Sequence, residues 1–77
     1  MKVEVRLFAS LSEYSPQGTG AAEMELPEET TVGDLLGRLG VPADMAKVIF
    51  VNGVHASHDK RLRQGDRVGI FPPVAGG

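Results

Sequence analysis

The chain has no cysteine and no tryptophan among its 77 residues. Without thiols it can hold no disulfide, no thiolate metal site and no cysteine nucleophile, so packing alone must hold the fold. Aromatic side chains are scarce as well: Phe8, Tyr14, Phe50 and Phe71 are all there are. That is too few for the stacking surfaces that take up single-stranded nucleic acid. Neither sign of charge dominates. The formal net charge is −2, with acids and bases interspersed, which leaves no basic stripe for a phosphate backbone. No apolar run approaches the length of a membrane span. The alternating start Met1-Lys2-Val3-Glu4-Val5 does not read as a secretory leader. A soluble, cytoplasmic protein is therefore expected. No glycine-rich phosphate loop lies between a strand and a helix, which argues against a nucleotide-binding domain. The size allows one small domain, burying roughly 60–65% of its unfolded surface.

What is present is mostly pattern. Val3, Val5 and Leu7 alternate with Lys2, Glu4 and Arg6, the period of a half-buried strand over residues 2–8. Residues 9–20 carry serine, proline and glycine and read as a loop, mobile at its tip. Residues 22–26 alternate again, Met24 and Leu26 inward and Glu23 and Glu25 outward, until Pro27 ends the strand. Val32, Leu35, Leu36 and Leu39 then form one helical stripe. Thr31 is its expected N-cap, with Asp34 at the acid position of a capping box. Gly40 is placed as C-cap, and Pro42 forbids continuation. Gly33 and Gly37 weaken this helix by roughly 1 kcal/mol each relative to alanine, so packing must hold it. Val48-Ile49-Phe50-Val51 is an apolar run expected to be a strand buried on both faces. Asn52-Gly53 predicts a tight hairpin turn into a brief strand at 54–56. Leu62 is the one apolar anchor in the polar stretch 57–66, and Arg67–Phe71 alternates as a last strand with Val68 and Ile70 inward. The order strand, strand, helix, strand, short strand, strand predicts an α+β fold in which one main helix packs on a mixed sheet of four to five strands. The β-grasp or ubiquitin-like fold has that order and size. Residues 1–71 are read as the β-grasp domain and residues 72–77 as an extended, flexible C-terminal Gly-Gly tail.

The tail carries the chemistry. Pro72 and Pro73 fix φ near −65° and favour an extended path, and six residues can reach at most about 20 Å. Gly76 and Gly77 lack Cβ atoms and so can thread a narrow channel in a partner. The pair alone would arise by chance in roughly 0.5% of chains, so its context decides: a stiff Pro-Pro spacer, small residues, then the glycines. A free Gly77 carboxylate is a poor electrophile. An ATP-using partner could turn it into an acyl-adenylate open to a sulfur or amine nucleophile, with the protein itself as substrate or carrier.

The stretch Val51-Asn52-Gly53, then Asp59, Leu62, Gly65-Asp66, Val68 and Phe71-Pro72-Pro73-Val74-Ala75-Gly76-Gly77, resembles the family of small ubiquitin-like sulfur carriers of the MoaD/ThiS type. The ending Phe-Pro-Pro-Val-x-Gly-Gly, and Leu7-Phe8-Ala9-Ser10-Leu11 near the start, are most similar to the small (sulfur carrier) subunit of molybdopterin synthase. The resemblance covers most of the chain and is sharpest from residue 51 onward. It implies that Gly77 is adenylated by a ubiquitin-activating-type adenylyltransferase and converted to a thiocarboxylate, with Gly76 threading the active site. The thiocarboxylate then donates sulfur inside a larger synthase subunit, most directly in molybdenum or tungsten cofactor biosynthesis. The protein would be a carrier or non-catalytic small subunit with no catalytic site and no cofactor of its own, ATP being used by the activating partner. The segment Leu39 to Val48 is shorter than in many molybdopterin synthase small subunits. Thiamine-thiazole or other sulfur transfer therefore stays open, as does a ubiquitin-like modifier forming isopeptide bonds with lysines, or an interaction module with an inert tail.

Partner docking is assigned to Phe71, Pro72, Pro73, Val74 and Ala75. Phe71 falls on the outward side of the last strand, where it serves either docking or packing against Pro72 and a sheet edge. Phe8 poses the same question, and packing is the favoured reading because it ends a core strand. His55, His58 and Asp59 lack the three or four converging ligands a metal needs and read as a solvated turn. Lys60, Arg61, Arg63 and Arg67 read as a solvated basic face, and Glu23, Glu25, Glu28 and Glu29 as an exposed strand face and its exit. Asn52-Gly53 and Gly65-Asp66 are structural turns.

Overall fold

The computed structural model describes residues 1–73. Five strands, β1 (Lys2–Leu7), β2 (Ala21–Glu25), β3 (Val48–Val51), β4 (Val54–His55) and β5 (Arg67–Phe71), form one sheet in the order β2-β1-β5-β3-β4. β1 and β5 run parallel at its centre, and the other neighbours are antiparallel. A single α-helix, α1 (Val32–Leu39), and two short 3-10 helices, Ala9–Tyr14 and Ala43–Met45, complete the described elements. This is the β-grasp arrangement expected from the element order.

The core follows from the alternation. Val3, Val5 and Leu7 of β1, Ile49 and Val51 of β3 and Val68 and Ile70 of β5 are all buried, in one cluster with Val32, Leu35 and Leu36 of α1. Leu62 joins the same cluster. On β1 and β2 the outward pairs include Lys2 opposite Glu25, a favourable cross-strand match.

The helix is capped as its sequence indicates. Asp34 N–H donates to the Thr31 hydroxyl, and Thr31 N–H donates back to the Asp34 carboxylate, both at 3.1 Å. The next two N–H groups, of Val32 and Gly33, donate to the carbonyls of Lys60 and His58 at 2.9 Å. All four donors that a helix start leaves without intrahelical partners are thus satisfied, two of them by the polar stretch after β4. That stretch is a strap across the helix start as well as a turn. Gly40 takes φ 78°, and Val41 N–H closes the helix end onto the Leu36 carbonyl at 3.0 Å.

Two expectations are corrected. Residues 9–20 are not simply a loop, since 9–14 wind into a 3-10 helix that buries Leu11 completely. Leu11 N–H bonds the Phe8 carbonyl, and Ala9 takes a left-handed φ of 51° to start the turn. The run 48–51 is not buried on both faces, because one helix covers only one side of the sheet. Ile49 and Val51 are buried while Val48 and Phe50 are half-buried on the opposite, open side. No helix among the described residues is long and apolar enough to cross a membrane.

Candidate functional site

β5, the strand that leads into the tail, is held at both ends. At its start Asn52, in the β3–β4 turn, grips Arg67 twice: Asn52 N–H donates to the Arg67 carbonyl at 2.8 Å, and Arg67 N–H to the Asn52 side-chain oxygen at 3.0 Å. The Asn52 amide also donates to Asp66 Oδ1 at 2.9 Å, while Asp66 Oδ2 accepts from Arg63 N–H at 2.8 Å. Asn52 and Gly53 both have positive φ, 54° and 81°, as a type I′ hairpin turn requires. Asn52-Gly53 and Gly65-Asp66 are therefore joined turns that lock the root of β5. At its far end Phe8 N–H donates to the Ile70 carbonyl at 3.1 Å from one side, and Lys47 N–H to the Phe71 carbonyl at 3.0 Å from the other. The chain thus reaches Pro72 from a backbone fixed on both flanks.

Phe71 lies on the open face of the sheet among the other two phenylalanines. Its ring stacks parallel on Phe8 with centroids 4.3 Å apart, and it meets Phe50 edge to face at 6.0 Å. His55 extends the group, edge-on to Phe50 at 5.8 Å. Gly69 lies between the two stacked residues: a Cβ there would meet Phe8 at 3.5 Å and Phe71 at 3.7 Å. A groove of about 610 Å³ runs along this patch between Phe8, Val48, Phe50, Phe71 and the two prolines. An adjoining hollow of about 450 Å³ carries the charged side chains of Glu4, Arg6 and Arg67 beside the same rings. Aromatic side chains at the centre with polar ones at the rim match the composition of protein interfaces.

Of the residues assigned to docking, Phe71 and Pro72 are half-buried and Pro73 is exposed. Val74, Ala75, Gly76 and Gly77 lie outside the described residues. Phe8 and Phe50 were not assigned to docking from sequence, and the structure brings both to Phe71. The available signal was register: Phe8 continues the outward set Lys2, Glu4, Arg6, and is 37% exposed. No group of three or more metal-ligating side chains occurs among the described residues. Arg61 pairs with Glu29 at 3.0 Å, both well exposed, a contact worth little in water.

The ThiS family model matches residues 5–77, from the first strand through the last glycine. The chain belongs to the ThiS family. No curated protein matches it. Among solved structures, this ThiS-family chain is similar to a Pyrococcus furiosus protein described as candidate subunit 1 of molybdopterin converting factor. The two share 34% identity over 96% of this chain and 99% of that one, with a TM-score of 0.74. It is also similar to small archaeal modifier protein 1, SAMP1, of Haloferax volcanii, at 26% identity, full coverage of both chains and a TM-score of 0.75. The molybdopterin-converting factor of Helicobacter pylori, solved as a complex of subunits 1 and 2, shares the fold at 23% identity and a TM-score of 0.62, again with both chains covered.

Proposed function

We propose that this ThiS-family chain is a sulfur carrier whose reactive group is the Gly77 carboxylate. In the first step a carboxylate oxygen attacks the α-phosphorus of ATP on a ubiquitin-activating-type adenylyltransferase. Pyrophosphate leaves and an acyl-adenylate remains. A hydrosulfide or persulfide nucleophile then attacks the Gly77 carbonyl carbon and AMP leaves. Hydrosulfide gives the thiocarboxylate directly; a persulfide gives an acyl disulfide, from which a second thiol takes the donor sulfur as a disulfide and frees the thiocarboxylate. The thiocarboxylate sulfur then bonds to an electrophilic carbon of an acceptor held by a larger synthase subunit, and water cleaves the acyl–sulfur bond, returning the Gly77 carboxylate. The chain's own part is presentation: the Asn52–Asp66 lock and the flanking backbone bonds fix β5, Pro72 and Pro73 extend from it, and the glycines pass where a Cβ would not. Phe71 and Pro72, with Phe8 and Phe50 beside them, form the surface that a partner engaging Gly77 would cover. Four residues beyond Pro73 span at most about 13 Å, so such a partner must sit over this patch.

The observation that carries the reading is the family match running unbroken through Gly77. The molybdopterin branch is favoured by the Phe71–Gly77 ending and by the Pyrococcus furiosus likeness. Activation and transfer would take place in the cytoplasm. A second reading, a protein modifier, is favoured by the likeness to small archaeal modifier protein 1. There the same acyl-adenylate would be attacked by a lysine amine. Mass spectrometry of the chain recovered from its own cells separates the two. Free protein with one oxygen replaced by sulfur supports the carrier. Gly77 found only in isopeptide linkage to other proteins supports the modifier, and an unmodified terminus in every fraction rejects both.

A further inference from the structure

Gly69 sits in the middle of the central strand β5, where the fold itself does not call for a glycine. Arg6 of β1 lies opposite it on one side and Phe50 of β3 on the other. A β-branched or aromatic residue suits such a position, and glycine weakens it. The backbone does not require glycine, because φ here is not left-handed. Nor do the neighbours, since an added Cβ would make only ordinary contacts, the nearest at 3.5 Å. What the missing side chain leaves is the floor of the hollow of about 450 Å³ on the open face. Phe50 and Arg6 flank that floor, and Glu4 and Arg67, themselves opposite one another, lie two residues along. A glycine inside a strand often marks a place where another molecule approaches closely.

The charge around this hollow is unbalanced. Glu4 Oε2 is already paired with Arg6 Nε at 3.4 Å, and no ion pair among the described residues engages Arg67. Two guanidinium groups against one carboxylate leave one positive charge in surplus, on a chain whose net charge is −2. Arg67 also springs from a fixed root, its N–H and carbonyl both held by Asn52. An entering carboxylate cancels the surplus, whereas an entering cation meets like charge. We propose that the hollow is a socket for one glutamate or aspartate side chain of the activating adenylyltransferase. The carboxylate pairs with Arg67, and its methylene stem lies over Gly69 beside the Phe50 ring. The proposal rests on the carrier reading, which brings that enzyme over this face of the sheet. It adds the chemistry by which the enzyme recognises the body, apart from the tail it reacts with.

The test compares the wild type with Gly69→Val, Arg67→Gln and the double variant, each first confirmed folded by its melting curve. With the adenylyltransferase of the same cells, kcat and KM for the carrier are measured by ATP–pyrophosphate exchange at about 50 and about 300 mM salt. Each single variant is expected to raise KM roughly tenfold at low salt with kcat nearly unchanged. Gly69→Val should melt no lower than the wild type, because valine suits a strand. Both should flatten the salt dependence of KM, although Gly69→Val changes no charge, because filling the socket shuts the carboxylate out. The double variant should stay within about twentyfold of the wild type, short of the roughly hundredfold of two independent losses. A Gly69→Val chain that raises KM but keeps the full salt dependence would mean an apolar occupant and overturn the proposal. So would additive losses, or an unchanged KM in either single variant. If Gly69→Val does not fold, Arg67→Gln decides alone, upholding the socket by a raised KM with a flattened salt dependence and rejecting it otherwise. A wild type that supports no exchange defeats the carrier reading and the socket with it, whereas unaffected variants on an active enzyme defeat the socket alone.

Discussion

Single residues in this small domain carry large shares of its stability. A chain of this length is stable by about 4–12 kcal/mol, so one buried side chain can decide whether it folds. Leu11 is fully buried in the 3-10 helix after β1. Leu11→Ala is expected to cost about 3 kcal/mol, and chemical denaturation should show a matching fall in midpoint at unchanged slope. A change under about 0.5 kcal/mol, the usual limit for a surface site, would mean that the segment behaves as the loop its composition suggests. Asp66 is the second such residue. Its carboxylate takes Arg63 N–H on one oxygen and the Asn52 amide on the other. Asp66→Ala leaves these donors without partners at the root of β5, at an expected cost of about 2 kcal/mol, or roughly 10 °C in melting temperature for a domain of this size. Asn52→Ala should lower the melting temperature too. In the double variant the two losses should fall short of additive, because they break one shared contact.

At the scale of elements, the helix separates what local sequence encodes from what tertiary contact adds. Its two glycines look equivalent in the sequence, and the structure distinguishes them. A Cβ at Gly37 meets nothing within 4 Å, whereas at Gly33 it comes 3.4 Å from the His58 carbonyl of the strap. Gly37→Ala is expected to stabilise by about 0.5–1 kcal/mol, and Gly33→Ala to return clearly less or to destabilise. Thermal melts of the two variants check the difference, and an equal gain in both would show that the strap does not press on the helix start. The caps, the helical stripe, the inward set of each alternating strand and the Asn52-Gly53 turn were all legible, because each is decided by residues within a few positions of one another. Three features were not. Leu11 and Tyr14 lie three apart in a segment dominated by serine, proline and glycine, so turn signals outweighed a single helical spacing. Four apolar residues at 48–51 carry no period, so nothing there revealed that Val48 and Phe50 face the open side. The Asn52–Asp66 bond joins two turns separated by 14 residues, and no local pattern announces such a contact. The candidate site divides the same way. Phe71 and the prolines were readable as a motif, while Phe8 and Phe50 reach the patch only through the register of β1 and β3 against β5.

For the whole molecule the decisive question is whether body and tail are separable. Among the described residues, the core cluster, the helix caps and the locks on β5 are formed by residues up to Phe71, and the proposed chemistry belongs to Gly77 alone. Removing Gly76 and Gly77 should therefore leave the melting temperature within about 2 °C of the full chain, a surface-level change, while abolishing adenylation altogether. Replacing Gly76 by a bulky residue such as leucine should likewise spare the fold but impair adenylation, because a side chain now has to enter a channel shaped for backbone. Exchange assays on the activating enzyme, set beside melts of the same preparations, test both variants. A truncated chain that unfolds would tie the glycines to the body. One that is still adenylated would place the reactive carboxylate elsewhere, and full activity in Gly76→Leu would rule out a narrow channel. The converse variant completes the argument. Phe50→Ala leaves Gly77 intact but removes an edge-on ring from the open face, so it should raise KM for the activating enzyme by roughly tenfold, the range of an aromatic interface residue, at nearly constant kcat. Separable failures, with the tail variants losing turnover and the face variant losing affinity, are what a body that docks and a tail that reacts require.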